Sequence, residues 1–236
     1  GGLLLGGCDK LNESPTFREF LHGGETLTMK AQRVILSRDA LAREYAPSDL
    51  SPVFRTNGNV MPSSPEYRAH LANGFADWRL TVGGLVARPL AISLNRIKAL
   101  PSRTQITRHD CVEGWSAIGQ WTGVPLSLLL KAAGLAPQAR YIVFHCADDF
   151  GGTPYYESID LIDAFHPQTI LAWGMNGQPL PVGHGAPLRL RVERQLGYKN
   201  AKFVMAVEAV ESFADIGRGK GGFWEDVAHY QWYAGI

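Results

Sequence analysis

Arg108-His109-Asp110-Cys111-Val112-Glu113-Gly114-Trp115-Ser116, followed by Trp121-Thr122-Gly123-Val124-Pro125-Leu126, is the stretch around which the rest of the chain is organised. A cysteine set between a strand-like approach and a glycine, with a helix opening downstream, stands at the end of an element and presents its sulfur there. By default a lone buried cysteine is a small hydrophobe. Its neighbours argue for more: Arg108 and His109 are placed to lower its pKa toward the thiolate, the form that binds soft metals or attacks electrophiles. On this reading the surrounding chain builds a pocket around Cys111.

Working outward, Pro125, the core-spaced Leu126, Leu129 and Leu130, and Gly134 as terminator predict a helix that starts at Pro125. The alternation Trp78-Arg79-Leu80-Thr81-Val82 before Gly83-Gly84 predicts a strand and turn, and Ser93 caps a helix carrying Leu94, Ile97 and Leu100 that ends at Pro101. Tyr141 to Cys146 reads as a buried strand, Ser158 to Phe165 as a short helix with Leu161, Ile162 and Phe165 inward, and Phe203 to Val210 as a strand. Asn176-Gly177 is a strong hairpin signal. A short helix is expected around Thr16 to Leu21. Ala46 to Pro65 holds four prolines and turns at Asn57-Gly58-Asn59, as a segment that links or lines a site does. The tail is glycine-rich from Gly217 to Gly222 and then aromatic at Trp224, Tyr230, Trp232 and Tyr233, the make-up of a loop that closes over a ligand.

A second constellation is His184-Gly185-Ala186-Pro187-Leu188-Arg189, followed by Gly197-Tyr198-Lys199-Asn200-Ala201-Lys202. Leu188, Leu190 and Val192 alternate with Arg189, Arg191 and Glu193, so Arg189 projects from the face opposite the leucines. A histidine, an arginine and two lysines near glycine turns converge on a phosphate or form a solvated face; arginine offers a bidentate fork and lysine a point charge. His109, Cys111, His145 and Cys146 are too closely spaced for an ordinary zinc clip. A cysteine hydrolase with His109 or His184 as base lacks a local signature.

At 236 residues, with 45% hydrophobic and 19% charged residues, the chain has enough apolar content for one good core. The net charge of +1 gives no electrostatic reason to expect nucleic acid as a partner, so any anion site is local. Three cysteines, none in a CxxC pair, are no disulfide framework. Gly1-Gly2-Leu3-Leu4-Leu5-Gly6-Gly7-Cys8 reads as the tail of an export signal, and Leu5-Gly6-Gly7-Cys8 resembles a bacterial lipoprotein cleavage box. The expectation is a periplasmic protein, with or without an inner-membrane lipid anchor at Cys8. No other apolar run approaches the roughly 20 residues a spanning helix needs. The division expected is 1–45 as signal remnant and N-terminal extension, and 46–236 as the folded domain.

Cys111-Val112-Glu113-Gly114-Trp115-Ser116 with Trp121-Thr122-Gly123-Val124-Pro125-Leu126, and Met175-Asn176-Gly177-Gln178-Pro179-Leu180-Pro181 with His184 to Arg189 close behind, resemble the molybdopterin-binding catalytic domain of the sulfite oxidase family. The bacterial periplasmic branch that reduces methionine sulfoxide is the most similar, and the resemblance runs from about Ala46 to Ile236. It implies an α+β fold, a strand-rich mixed single domain, and Mo-molybdopterin as cofactor, with Cys111 the catalytic thiolate ligand of molybdenum. It further implies that His184, Arg189, Asn200, Ala201 and Lys202 hold the pterin and its phosphate. Asn57 is the best-matched residue of an early cofactor-contacting stretch from Phe54 to Pro62, and Asp148 is the candidate in the contact loop at Cys146 to Asp149. Tyr230 falls where sulfite oxidases place an active-site tyrosine; the bland reading is a half-buried packing aromatic.

Two departures bear on substrate. Thr56 and Gly58 stand where the sulfite-oxidising members carry an arginine and a histidine, and Gly114-Trp115 replace polar residues after the cysteine. The implied activity is two-electron oxygen-atom transfer on a small sulfur- or nitrogen-containing substrate, sulfoxide or N-oxide reduction before sulfite oxidation. The alternatives are a sulfite dehydrogenase-type enzyme and a non-catalytic molybdopterin-binding subunit. With no CxxCH in the chain, electrons are expected to pass through a separate membrane or c-type cytochrome.

Overall fold

The computed structural model describes residue 24, residues 27–33, residue 37 and residues 39–236. Residues 41–234 form one compact unit and the residues before Leu41 belong to another; of the latter, residues 27–33 are helical. The helix expected around Thr16 to Leu21, and Cys8, lie outside the described residues.

Two sheets carry the larger unit. The first is built from β1 (Arg79–Gly84), β2 (Leu90–Ser93), β5 (Tyr141–Phe150), β6 (Thr153–Asp160) and β10 (Val204–Val210), in the order β2-β1-β10-β5-β6. Only the β1–β10 pair in it is parallel. The second takes β3 (Arg103–Cys111), β4 (Trp115–Pro125), β7 (Ile170–Met175) and β8 (Gln178–Pro179) in that order, with β9 (Arg189–Arg191) also paired to β7. It is antiparallel throughout.

The main core draws Leu80, Val82, Ile142, Phe144 and Val207 from the first sheet and Val124, Leu171 and Leu190 from the second. Period-2 alternation turns Ile170 and Ala172 the other way, into a smaller cluster with Trp121, Met175 and Leu180. The second sheet is thus buried on both faces, and the arginines of β9 lie on the side opposite Leu188, Leu190 and Val192, as the alternation predicts.

The short helices follow their caps. In α1 (Pro65–Ala72) Ser64 accepts from Tyr67 N–H and proline occupies the first turn; in α2 (Leu94–Lys98) Ser93 accepts from Arg96 N–H. Helix α3 (Leu126–Ala133) ends at Gly134 with φ 72°, and Pro125 is the last residue of β4 and not a first-turn residue. The helix expected from Ser158 to Phe165 starts three residues later and is one turn long: β6 runs to Asp160, and only α4 (Leu161–Ala164) is helical, capped by the Asp160 carboxylate. Ser158 is held there because its hydroxyl donates to the Gly221 carbonyl and accepts from the Trp232 indole. Phe165 is exposed, and Asp163 and Ala164 take the inward positions. Asn176 and Gly177 turn the β7–β8 hairpin at φ 50° and 74°, both in the left-handed region.

Candidate active site

Cys111 ends β3, opposite Trp115 in the last register pair of the β3–β4 hairpin, and Gly114 (φ 84°) closes the turn between them. Strand alternation puts His109 and Cys111 on the inner face and Arg108 and Asp110 on the outer. Arg108 pairs with Asp110 at 2.9 Å and does not activate the sulfur, contrary to the expectation from sequence adjacency. His109 is buried and its pKa is pushed well down by that burial and by Arg191 and Arg189, so it is neutral and supplies no charge either. Burial pushes the Cys111 thiol up. The protein alone therefore favours the thiol, and a thiolate here needs a bound metal to displace the proton.

The sulfur faces a cavity of about 660 Å³, open mouth included. Asn57, Cys111, Asp148, Asn200, Lys202 and Tyr230 all line it, so a single space brings together residues far apart in sequence. Arg189 and His184 stand behind this lining, Arg189 reaching Asn57 Oδ1 at 3.4 Å and the His184 carbonyl at 3.3 Å. Ala201 is not part of the wall: its side chain is in the main core and its carbonyl accepts from Leu190 N–H. Asn200 uses Oδ1 to accept from Val192 N–H and Nδ2 to donate to the Leu196 carbonyl, which fixes the loop that carries Lys202.

The charges behind the cavity are unbalanced. Arg189 is fully buried, stacked over Trp121 at 5.2 Å, and its Nε has no hydrogen-bond partner. Burial and the Arg191 charge lower its pKa to about 9. Burial and Arg189 lower Lys202 to about 7, and its Nζ donates only to backbone carbonyls, those of Asn57, Asn59 and Gly183. His184 is held neutral, its pKa down to about 4, and its buried Nδ1 is unpartnered. Asp148, raised by burial, accepts from Asn59 Nδ2 at 3.1 Å through one oxygen and leaves the other unpartnered. Lys199, the other lysine of the expected phosphate cluster, points elsewhere and is bonded to Glu157 (2.5 Å) and Glu225 (2.6 Å).

Residues that the motif reading passed over complete the site. Phe54 packs on His109, Trp115, Trp121 and His184, with ring centroids 5.4–6.0 Å away, and so ties the cysteine hairpin to the basic strand. Phe150, Tyr155, Tyr198 and Trp224 join Tyr230 as an aromatic wall, and Glu113, two residues after the cysteine, brings its carboxylate to the same lining. Of these, the aromatic tail signals Trp224 and Tyr230; Phe54, Glu113 and Tyr198 lie inside the quoted motifs without a role assigned to them, and Phe150 and Tyr155 carry no sequence signal. A Cβ on Gly197 would lie 2.5 Å from His109 Nε2, so this glycine lets the basic loop press onto the ring beneath the cysteine strand.

The family model for the oxidoreductase molybdopterin-binding domain matches residues 68–215. The chain belongs to that family. Cys111, Asp148, His184, Arg189, Asn200, Ala201 and Lys202 fall inside the match, and Asn57 and Tyr230 lie beyond its ends. Among curated relatives, the putative protein-methionine-sulfoxide reductase subunit YedZ1 of Azospira oryzae is 46% identical over 160 residues, covering 68% of this chain and 56% of that protein. The protein-methionine-sulfoxide reductase catalytic subunit MsrP of Xanthomonas axonopodis pv. citri is 38% identical over 149 residues, covering 58% and 46%. The chain thus spans about half the length of the curated relatives it matches. Among solved structures, the sulfane dehydrogenase SoxCD of Paracoccus pantotrophus aligns with a TM-score of 0.53 and 25% identity, over 58% of this chain and 39% of that one. The fold is therefore of the sulfite oxidase type and the cofactor is Mo-molybdopterin.

The geometry of the molybdopterin-binding domain fits that cofactor on its own terms. A phosphate is an anion with several acceptor oxygens, and the unpartnered Nε of buried Arg189 with the nearby Lys202 ammonium supplies charge that, among the described residues, no carboxylate pairs with. The unpartnered Asp148 oxygen and the Asn57 amide suit the polar edge of a pterin, and the Cys111 sulfur suits a soft metal.

Proposed function

We propose that this chain is the catalytic part of a methionine-sulfoxide-type reductase, which removes the oxygen of a neutral sulfoxide with two electrons and two protons and releases thioether and water. When bound, the molybdenum cofactor supplies the oxygen-atom transfer and the two-electron redox change. In this reading Cys111 holds the metal through its thiolate, and Arg189 and His184 anchor the phosphate from behind the cavity. Asn57, Asp148, Asn200 and Lys202 frame the pterin, and Tyr230 stands on the substrate side.

The observation that carries the substrate class is the lining of the cavity that Cys111 faces. It holds Phe150, Tyr155, Tyr198, Trp224 and Tyr230, the carboxyls of Glu113 and Asp148, and Lys202 as its one cation among the lining residues. An aromatic wall receives a sulfur substituent favourably. The Glu113 charge opposes a sulfite anion, and Thr56 and Gly58 offer no replacement for the arginine and histidine that sulfite-oxidising relatives use. We further propose that 46–236 is the catalytic domain, that the protein is exported to the periplasm with Cys8 as an anchor site, and that a cytochrome exchanges its electrons.

The test is turnover of a panel of sulfoxides, N-oxides and sulfite with an artificial electron donor and, separately, an acceptor. Sulfoxide reduction that exceeds sulfite oxidation is expected. Sulfite oxidation as the dominant activity, or no turnover with molybdenum bound, overturns the reading.

A further inference from the structure

Among the described residues, no backbone-to-backbone hydrogen bond holds residues 52–63, although Asn57, Gly58 and Asn59 form part of the cavity wall. A wall built from such a segment depends on side-chain bonds: Asn59 and Ser63 reach out to Asp148 and Asp149, and Arg189 reaches Asn57 Oδ1. Lys202 supplies the bonds to the segment's own backbone carbonyls. An ammonium has three N–H donors, and all three are engaged: on the carbonyls of Asn57 (2.5 Å), Asn59 and Gly183 (3.0 Å). One nitrogen therefore joins the 57–59 loop to the separate turn at Val182–His184. That turn is shaped around the lysine stem: Gly185 sits at φ 111°, and a Cβ there would come within 2.8 Å of Lys202 Cβ.

Arg189 is the contrasting cation. Its Nε has no partner and its two terminal nitrogens make only the long contacts of 3.3 and 3.4 Å. Arg189 has donors to give to an anion, and Lys202 has none without releasing the loop.

We propose that Lys202 is a positioning residue whose ammonium ties the Asn57–Asn59 loop to the Gly183 turn, leaving Arg189 to bind the cofactor's phosphate directly. The part concerning phosphate rests on the proposed function; the tie itself exists in the protein before any cofactor arrives. The positive charge of Lys202 still favours an anion nearby, but its hydrogen bonds stay with the loop. An arginine at this position keeps the charge and loses the tie, because a planar fork does not direct three donors from one nitrogen onto three converging carbonyls.

The test is the rate of tryptic cleavage after Arg55, an exposed residue of this segment, in the full chain produced without cofactor and compared with cleavage elsewhere in the chain, together with binding of inorganic pyrophosphate. Lys202→Met and Lys202→Arg are each expected to speed cleavage at Arg55 at least about tenfold, the factor set by losing one charge-assisted hydrogen bond. Lys202→Arg should retain pyrophosphate binding, and Arg189→Met should lose it. Cleavage at Arg55 that stays at the wild-type rate in the Lys202 variants overturns the proposal. Wild-type protein gives a second reading that needs no variant: added pyrophosphate should leave the loop as resistant as before. Faster cleavage at Arg55 on pyrophosphate addition would mean that Lys202 leaves the carbonyls for the anion, which also overturns it. The molybdenum content of wild-type protein from a cofactor-making host decides the proposed function separately, since the tie does not depend on it.

Discussion

Lys199 and Lys202 lie on the same loop, both buried, and the protein treats them in opposite ways. Lys199 is bonded to two carboxylates, Glu157 and Glu225, and their charges raise its pKa against the effect of burial. Lys202 is bonded only to neutral carbonyls, and its pKa falls to about 7, while its neighbour Arg189 falls to about 9. Around Lys199 the folded chain neutralises its own charge; around Lys202 and Arg189 it leaves positive charge in place. A buried charge is expensive unless paired, so a pair of unneutralised cations beside a cavity marks a site completed by an anion from outside. The triad around Lys199 instead fastens the elements on which Tyr155, Tyr198 and Trp224 stand, since it joins β6, the Gly197–Lys199 turn and α5 (Phe223–Ala228).

The largest effect that tests this contrast is on the paired side. Lys199→Met strands the buried Glu225 carboxylate and the Glu157 carboxyl beside it and should cost about 3–5 kcal/mol, read as a fall in the denaturation midpoint. An unchanged midpoint would remove the distinction. Arg189→Met should do the reverse: protein made without cofactor keeps its stability within about 1 kcal/mol of wild type, because an unneutralised charge has been removed. Molybdenum content in a cofactor-making host should collapse in the same variant. A variant that is destabilised by several kcal/mol yet still loads metal would assign Arg189 to the scaffold.

The pH dependence of the cofactor-free protein sharpens the same comparison. The folded pKa of Lys202, about 7, lies below its unfolded value of about 10.4, so the folded state binds fewer protons between the two. Its destabilising contribution is fully present below pH 7 and is relieved as pH rises toward 10. Pyrophosphate binding should move oppositely and weaken several-fold as pH rises through 7, because the ammonium that attracts the anion is being lost. Lys202→Met should flatten both trends in that window. The smallest expected change is Glu157→Gln. Burial and the Glu225 charge push the Glu157 carboxyl well up, so it holds a proton in the folded state, and the amide mimics that form. Stability in wild type should decline as pH rises above the unfolded value of about 4.3, and Glu157→Gln should remove that component at a cost under about 1 kcal/mol. A steeper decline in the variant would contradict a raised Glu157 carboxyl as the source of that component.

Local signals in the sequence were read correctly where local chemistry decides the outcome. The Ser93 cap, the Gly134 terminator, the Asn176-Gly177 turn and the alternation at Leu188–Val192 depend on a few adjacent residues, and the structure shows each of them. Ser158 was misread because its partners, Gly221 and Trp232, lie about seventy residues away and hold it in a strand. Helix α1 went unread because it has no apolar stripe, although Ser64-Pro65 was a usable start signal. At the site, residue types and motif order exposed Cys111 and the basic run. What the sequence could not separate was Lys199 from Lys202, or Arg108 from an activating neighbour. Those outcomes depend on which way a strand or turn aims each side chain, and on carboxylates contributed by β6 and α5.

The most direct test of the account is the metal content of wild-type protein from a host that makes the cofactor, with electron paramagnetic resonance on partial reduction. The account predicts close to one molybdenum per chain and a Mo(V) signal whose sulfur ligation is lost in Cys111→Ser. Folded wild-type protein that carries no molybdenum would contradict it.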